Sequence, residues 1–211
     1  MRRTFAVVIA LLAWIGLALH FVDTLTKAAN NGISLLEGSA RFFSFFTVVS
    51  NLIVAVAMSL IAFAPGSRLA QFVNTSSVLT ATAVYITIVA IVYSLFLRGV
   101  VKLEGMRIIS DHIVHDIVPP LFVIYWGVYA PKNNLKWSEP FKWLIVPVLY
   151  IVYCLIHGAF DSWYPYWFAD VTKLGYPTAL RNAFLVLVAF LVFGYIFAAV
   201  AKLLPASTSS S

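Results

Sequence analysis

Charge is the first thing this sequence lacks. Fourteen Lys and Arg and eight Asp and Glu leave 10% of 211 residues charged, while 62% are hydrophobic and the mean hydropathy is +0.95. A soluble domain carries about 25% charged residues, so a water-soluble fold is excluded. Cysteine is almost absent too. Cys154 stands alone, which rules out an internal disulfide and leaves it a packing residue. The net charge of +6 comes without any basic stripe interleaved with aromatics. Its Lys and Arg are scattered near the ends of apolar runs, where long side chains snorkel to headgroups, and nucleic acid is excluded as a partner. The apolar/polar alternation of a lipid-facing barrel is missing, so membrane strands are excluded. No internal repeat and no paired Gly/Pro-broken helices occur, which argues against an inverted-repeat transporter.

What is present is a series of apolar runs, each long enough to cross a bilayer as a helix of about 20 residues. Six are expected, near 4–26, 42–64, 76–98, 108–130, 142–161 and 180–203. The fold class is therefore an all-α integral membrane protein, one six-helix bundle over 1–205 followed by a disordered polar tail over 206–211. Met1-Arg2-Arg3 resembles the start of a signal peptide, but the run is long and lacks a small-residue cleavage site, so it is read as a helix. Six spans put both termini on one side. Arg2, Arg3, Arg68, Lys132, Lys136, Lys142 and Lys202 then share the terminal face, and Lys27, Arg41, Arg98, Lys102, Arg107, Lys173 and Arg181 the other. The two totals tie, and Arg2 and Arg3 on the first span place both termini in the cytoplasm.

The polar residues inside the runs are not spread evenly. His20 and Asp23 close the first span; Thr47, Ser50 and Asn51 open the second. Tyr93 and Arg98 close the third, and Asp111, His112, His115 and Asp116 open the fourth. His157 and Asp161 close the fifth, with Asp170, Arg181 and Asn182 bordering the sixth. All four histidines thus fall at the non-terminal face. Ionisable groups inside a membrane are costly and face a bundle interior or a water cavity, so the pattern predicts a polar chamber opening to that face.

The stretch "DHIVHDIVPP" carries the densest chemistry. Asp111 and His115 are spaced i,i+4, as are His112 and Asp116, so each imidazole can meet a carboxylate on its own helix face. His112 and His115, at i,i+3, share a face. Pro119 and Pro120 cannot donate to the carbonyls of His115 and Asp116, which predicts a kink with two free carbonyls beside the imidazole. At 1.5 Å per residue, Thr47 and His115 both sit about 10 Å inside their expected helix starts. Three chemistries fit. Thr47 or Ser50 could be a hydroxyl nucleophile with His115 or His112 as base, and Asn51 or Arg98 as oxyanion donors. The histidines and aspartates could instead hold zinc with an activated water. A proton or substrate pathway is the third. Membrane Thr and Ser most often bond the backbone one turn back, and depth is what singles out Thr47.

Three segments together, "FFSFFTVVSNL", "DHIVHDIVPP" and "HGAFDSWYPYWFADVTKLGY", resemble the androgen-induced gene family of multi-pass membrane lipid hydrolases, bacterial members included. The resemblance implies an intramembrane hydrolase of the ester bond in fatty acid esters of hydroxy fatty acids. It implies a threonine nucleophile matching Thr47, a histidine partner matching His115, no cofactor, and lipids as the partners. The family motif often carries Asn and Thr where Asp111 and Asp116 stand, so both carboxylates are departures. On this reading Asp111 orients His115, while His112, Asn51, Ser50 and Asp116 support the site. The segment with Trp163, Tyr164, Tyr166 and Trp167 is either an interfacial aromatic belt or a lid over the chamber. The membrane would be the cytoplasmic one in a bacterium, and the endoplasmic reticulum or plasma membrane in a eukaryote.

Overall fold

The computed structural model describes residues 1–100, 103–132 and 135–204. Lys102 and the tail at 206–211, both named above, lie outside the described residues. Helices α1 (Arg2–Asn30), α2 (Leu35–Phe43), α3 (Phe46–Phe63), α4 (Arg68–Val73) and α5 (Ser76–Val92) come first. They are followed by α6 (Met106–His112), α7 (Val118–Tyr129), α8 (Glu139–Trp143), α9 (Ile145–Asp161) and α10 (Val171–Leu203). Two π-helical turns, Tyr93–Leu97 and Ile113–Ile117, continue α5 and join α6 to α7. Among the described residues, six helical stretches are long and apolar enough to cross a membrane: Arg2–Asn30, Phe46–Phe63, Ser76–Leu97, Met106–Tyr129, Glu139–Asp161 and Val171–Leu203. The chain is an all-α, multi-pass membrane bundle, as hydropathy predicts.

Local chemistry sets the ends of the shorter helices. Ser34, Ser67, Thr75 and Asp170 each accept a backbone N–H in the first turn of the following helix, which satisfies a donor that has no partner inside the helix. α3 and α5 form the buried centre, with α1 and α7 packed on one side and α10 on the other. α9 and α10 are the spans least covered by protein. At Gly16 a Cβ would meet Ile113 Cγ2 at 2.6 Å and Val114 Cγ1 at 2.8 Å. Only glycine lets α1 approach the second π turn this closely.

Two boundaries differ from expectation, each for a local reason. The second span begins at Phe46 rather than 42, because the chain breaks at Ser44–Phe45 between α2 and α3. The break is held from α9: the Tyr150 hydroxyl donates to the Ser44 carbonyl at 2.7 Å, and Tyr153 Oη meets Ser44 Oγ at 2.7 Å. The last helix begins at Val171 rather than 180. Its first turn runs to Gly175 (φ 73°, ψ 158°), where the backbone kinks into a conformation that favours glycine before continuing past Pro177. Lys173, Gly175 and Pro177 give that stretch the composition of a loop.

Candidate active site

The break between α2 and α3 creates the site's central feature. A threonine in mid-helix usually donates its hydroxyl to the carbonyl three or four residues back. For Thr47 those residues are Phe43 and Ser44, beyond the break, and the second residue of α3 keeps its hydroxyl for a distant partner. Thr47 Oγ1 lies 3.3 Å from Nε2 of His115, and both residues are buried.

The imidazole is fixed on its other side. His115 Nδ1 is 3.1 Å from the backbone carbonyl of Asp111 and 3.3 Å from its carboxylate. Both partners are acceptors, so Nδ1 carries the proton and Nε2 presents a lone pair to the Thr47 hydroxyl. This is the tautomer a general base needs. The Tyr93 hydroxyl donates to the second oxygen of Asp111. The Tyr93 ring stacks on His115 with centroids 3.7 Å apart and planes 9° from parallel. Sequence reading placed Tyr93 at this depth without giving it a role. It buttresses both the ring and the carboxylate.

The second π turn explains what the prolines do. The helix shifts to i→i+5 bonding here, and the Val118 N–H reaches the carbonyl of Ile113. The Val114 carbonyl would next look to Pro119, which has no N–H. Asn51 supplies the missing donor: its Nδ2 lies 3.2 Å from that carbonyl and 2.9 Å from the carbonyl of Thr47. Both amide hydrogens are therefore committed, and Asn51 is not an oxyanion donor. It clamps the Thr47 turn of α3 to the turn that carries His115. The extra residue of a π turn also breaks the i,i+3 alignment. His112 does not share a face with His115. It pairs with Asp116 at 2.7 Å, with its own side chain 54% exposed.

Other expected residues lie elsewhere. Arg98 donates to Asp116 and sits over the Tyr93 ring. It does not line the chamber, so it is not placed to donate to an oxyanion, and Asp116 belongs to this outer pair. The Ser50 hydroxyl donates to the carbonyl of Thr47 at 3.1 Å and lines neither cavity. The zinc arrangement requires His112 and His115 to face one ion, and they diverge. Among the described residues no three His, Cys, Asp or Glu side chains gather as a ligand set. His157 stays with Asp161 at 3.5 Å and packs against Trp163.

Two cavities meet at Thr47. One, between α3, α5, α9 and α10, has about 830 Å³ of empty space counting its open mouth and is walled by Val89, Ile151, Leu155, Val186 and Phe190 among others. The other, of about 750 Å³ on the same measure, is the polar chamber, lined by His20, Tyr93, Arg107, Asp111 and His115. Both spaces include Thr47, Leu97 and Tyr166 in their walls. The lid segment divides accordingly. Trp163 packs on Phe45 and under Arg41, and Tyr164 fills the space above Gly158. Trp167 is 51% exposed. Trp167 still lines the polar chamber, and of the four aromatics Tyr166 alone lines both cavities. Its Oη accepts the Phe46 N–H at 3.0 Å and lies within reach of the Thr47 N–H and side chain. Burial raises the Tyr166 phenol above its ordinary value, so it stays protonated. That hydroxyl stands beside Thr47, while the first-turn N–H groups of α3 are taken by Tyr166 and by the Phe45 carbonyl.

Comparison of the chain with protein-family models, with curated proteins and with solved structures finds no match in any of the three.

Proposed function

We propose that this protein is an intramembrane hydrolase of lipid esters, of the serine/threonine type, with Thr47 as nucleophile and His115 as general base. One observation carries the reading. A buried threonine hydroxyl, freed from its own helix, faces the unprotonated nitrogen of an oriented histidine where an apolar cavity meets a polar one. A hydroxyl is a weak nucleophile until such a base takes its proton. The Oγ1–Nε2 separation of 3.3 Å is at the long end for a hydrogen bond, as catalytic contacts often are before substrate binds.

The acyl chain of the ester lies in the apolar cavity and its alcohol half in the chamber. His115 Nε2 accepts the Thr47 proton as Oγ1 bonds to the carbonyl carbon. The oxyanion turns to the Tyr166 hydroxyl. On collapse the ester C–O bond breaks, the imidazolium returns its proton to the departing alkoxide, and an acyl-threonine remains. Water from the chamber, deprotonated by His115, attacks that ester, and the proton then returns to Thr47 as the fatty acid leaves. Asp111 holds the imidazole in the working tautomer and stabilises the imidazolium. The scheme uses no cofactor.

The resemblance to the androgen-induced gene family supports fatty acid esters of hydroxy fatty acids as the substrate type. The setting is lipid metabolism in the cytoplasmic membrane of a bacterium, or the endoplasmic reticulum or plasma membrane of a eukaryote, with both termini cytoplasmic. The test is labelling of the purified protein with a fluorophosphonate, which reacts with activated hydroxyls, beside Thr47→Ala and His115→Ala. The reading expects labelling of the wild type alone. Equal labelling of Thr47→Ala contradicts it.

A further inference from the structure

The catalytic set does not use all the polar capacity of the chamber. His20, on α1, is 3% exposed and lines the chamber, yet neither of its ring nitrogens has a partner among the described residues. Arg107, at the start of α6, lines the same wall. Its Nε is buried and also without a partner among the described residues, while its outer edge reaches Asp23 at 3.5 Å. Asp23 is closer to Lys27, at 2.8 Å, and so does not fully neutralise the guanidinium. The other carboxylate on the wall, Asp111, is engaged by Tyr93 and His115. Buried polar groups are almost always hydrogen-bonded, to protein or to ordered water. The unmet capacity here includes two donors, an Arg Nε–H and one imidazole N–H, beside one imidazole acceptor, on elements that line the same chamber. A guanidinium edge of this kind suits a carboxylate or phosphate.

We propose that His20 and Arg107 form an anion subsite in the chamber that takes the acidic group of the substrate's alcohol half. The proposal rests on the hydrolase reading for its place in catalysis, though the binding itself does not require turnover. The acyl chain lies on the far side of Thr47, so an anion held here pulls the alcohol half into the chamber and sets the ester bond at the nucleophile. The enzyme would then discriminate by the head of the leaving group, and neutral esters of the same length would be poor ligands. Two lipid types carry such an anion: an ester of a hydroxy acid, with a free carboxylate, and a phospholipid, with a phosphate.

Equilibrium binding to the full-length protein in neutral detergent distinguishes these. The probes are a long-chain hydroxy acid, its methyl ester and a long-chain alkyl phosphate of equal length. In the wild type at least one acid should bind about tenfold or more tighter than the methyl ester, the scale of a charge-assisted hydrogen-bond pair. Whichever acid is preferred names the source. Arg107→Gln should erase that preference while leaving the methyl ester's affinity unchanged, and Arg107→Lys should keep part of it. Equal affinity for all three probes in the wild type overturns the subsite, and that arm needs no variant to fold. A uniform loss for all probes in Arg107→Gln also overturns it. Fluorophosphonate labelling of Thr47, run in parallel, reports on the hydrolase reading separately. A protein that prefers the acid but is never labelled keeps the subsite and loses the nucleophile.

Discussion

Thr80 and Thr47 are both buried threonines in membrane-spanning helices, and their surroundings assign them opposite tasks. Thr80 lies one turn into α5. Its hydroxyl donates to the Ser76 carbonyl at 2.7 Å and accepts the Trp126 indole N–H at 3.0 Å, so donor and acceptor are both committed. Thr82 likewise returns its proton to Val78 at 2.8 Å. Thr47 has no helical carbonyl behind it and faces a histidine instead. What makes a hydroxyl available for chemistry in a membrane is thus its position relative to a helix start, more than its depth. The two ends of the bundle repeat the contrast. On the terminal side, Arg3 donates to the carbonyl of Ala62, Lys132 to those of Trp126 and Ala130, and Lys202 to that of Leu135. These cations are held by backbone acceptors, several at helix C-termini, where positive charge is favoured. In the chamber, His20 and the Nε of Arg107 keep donors in hand.

Substitutions at the two threonines should separate most sharply. Thr47→Ala should abolish fluorophosphonate labelling and lower ester turnover by about 10³-fold or more, with little change in thermal stability. Thr80→Val should do the reverse, leaving turnover intact and costing about 1–3 kcal/mol in denaturation because the Trp126 N–H loses its acceptor. If Thr80→Val abolished turnover and Thr47→Ala did not, the contrast would be wrong. Next in size is His115→Ala, for which a general base predicts a loss of about 10²–10⁴ in kcat at unchanged expression.

Asn51→Leu sharpens the comparison by loosening the clamp without touching either reacting group. The Val114 carbonyl loses its donor while the Thr47 carbonyl keeps Ser50, which should cost about 1–3 kcal/mol. The slackened geometry should lower kcat by about 10²-fold with KM unchanged, as steady-state kinetics can separate. Tyr93→Phe keeps the stacked ring and removes only the hydroxyl on Asp111. A loss of about tenfold in kcat is expected, and a loss as large as that of His115→Ala would make the tyrosine a reacting group. The smallest effect belongs to Arg98→Gln, which breaks a largely solvent-facing pair with Asp116. Turnover within about twofold of wild type is expected.

The legible part of this molecule was whatever hydropathy and helix periodicity control. Six spans, their alternation and the gathering of polar residues at one face follow from where charge is tolerated in lipid. Thr47, His115 and Asp111 stood out as polar groups in apolar runs, and the structure brings the three together. What escaped depends on the backbone register. The break at Ser44–Phe45 contains neither Gly nor Pro, and tyrosines more than a hundred positions away stabilise it. The two π turns have no local sequence signature. The one before Pro119 rotates His112 out of the site and converts Asn51 from an oxyanion donor into a clamp. Tyr166 and Arg107 were visible as an interfacial aromatic and a headgroup-facing cation, and only packing turns them inward.

The most direct test of the account is the position of the covalent adduct. After reaction with a fluorophosphonate or quenched during ester turnover, the protein would be digested and the modified peptide sequenced by mass spectrometry. The account predicts a single adduct on Thr47, absent when His115 is replaced by alanine. An adduct on Ser50 or Ser44, or steady turnover with no adduct and full activity in Thr47→Ala, would contradict it.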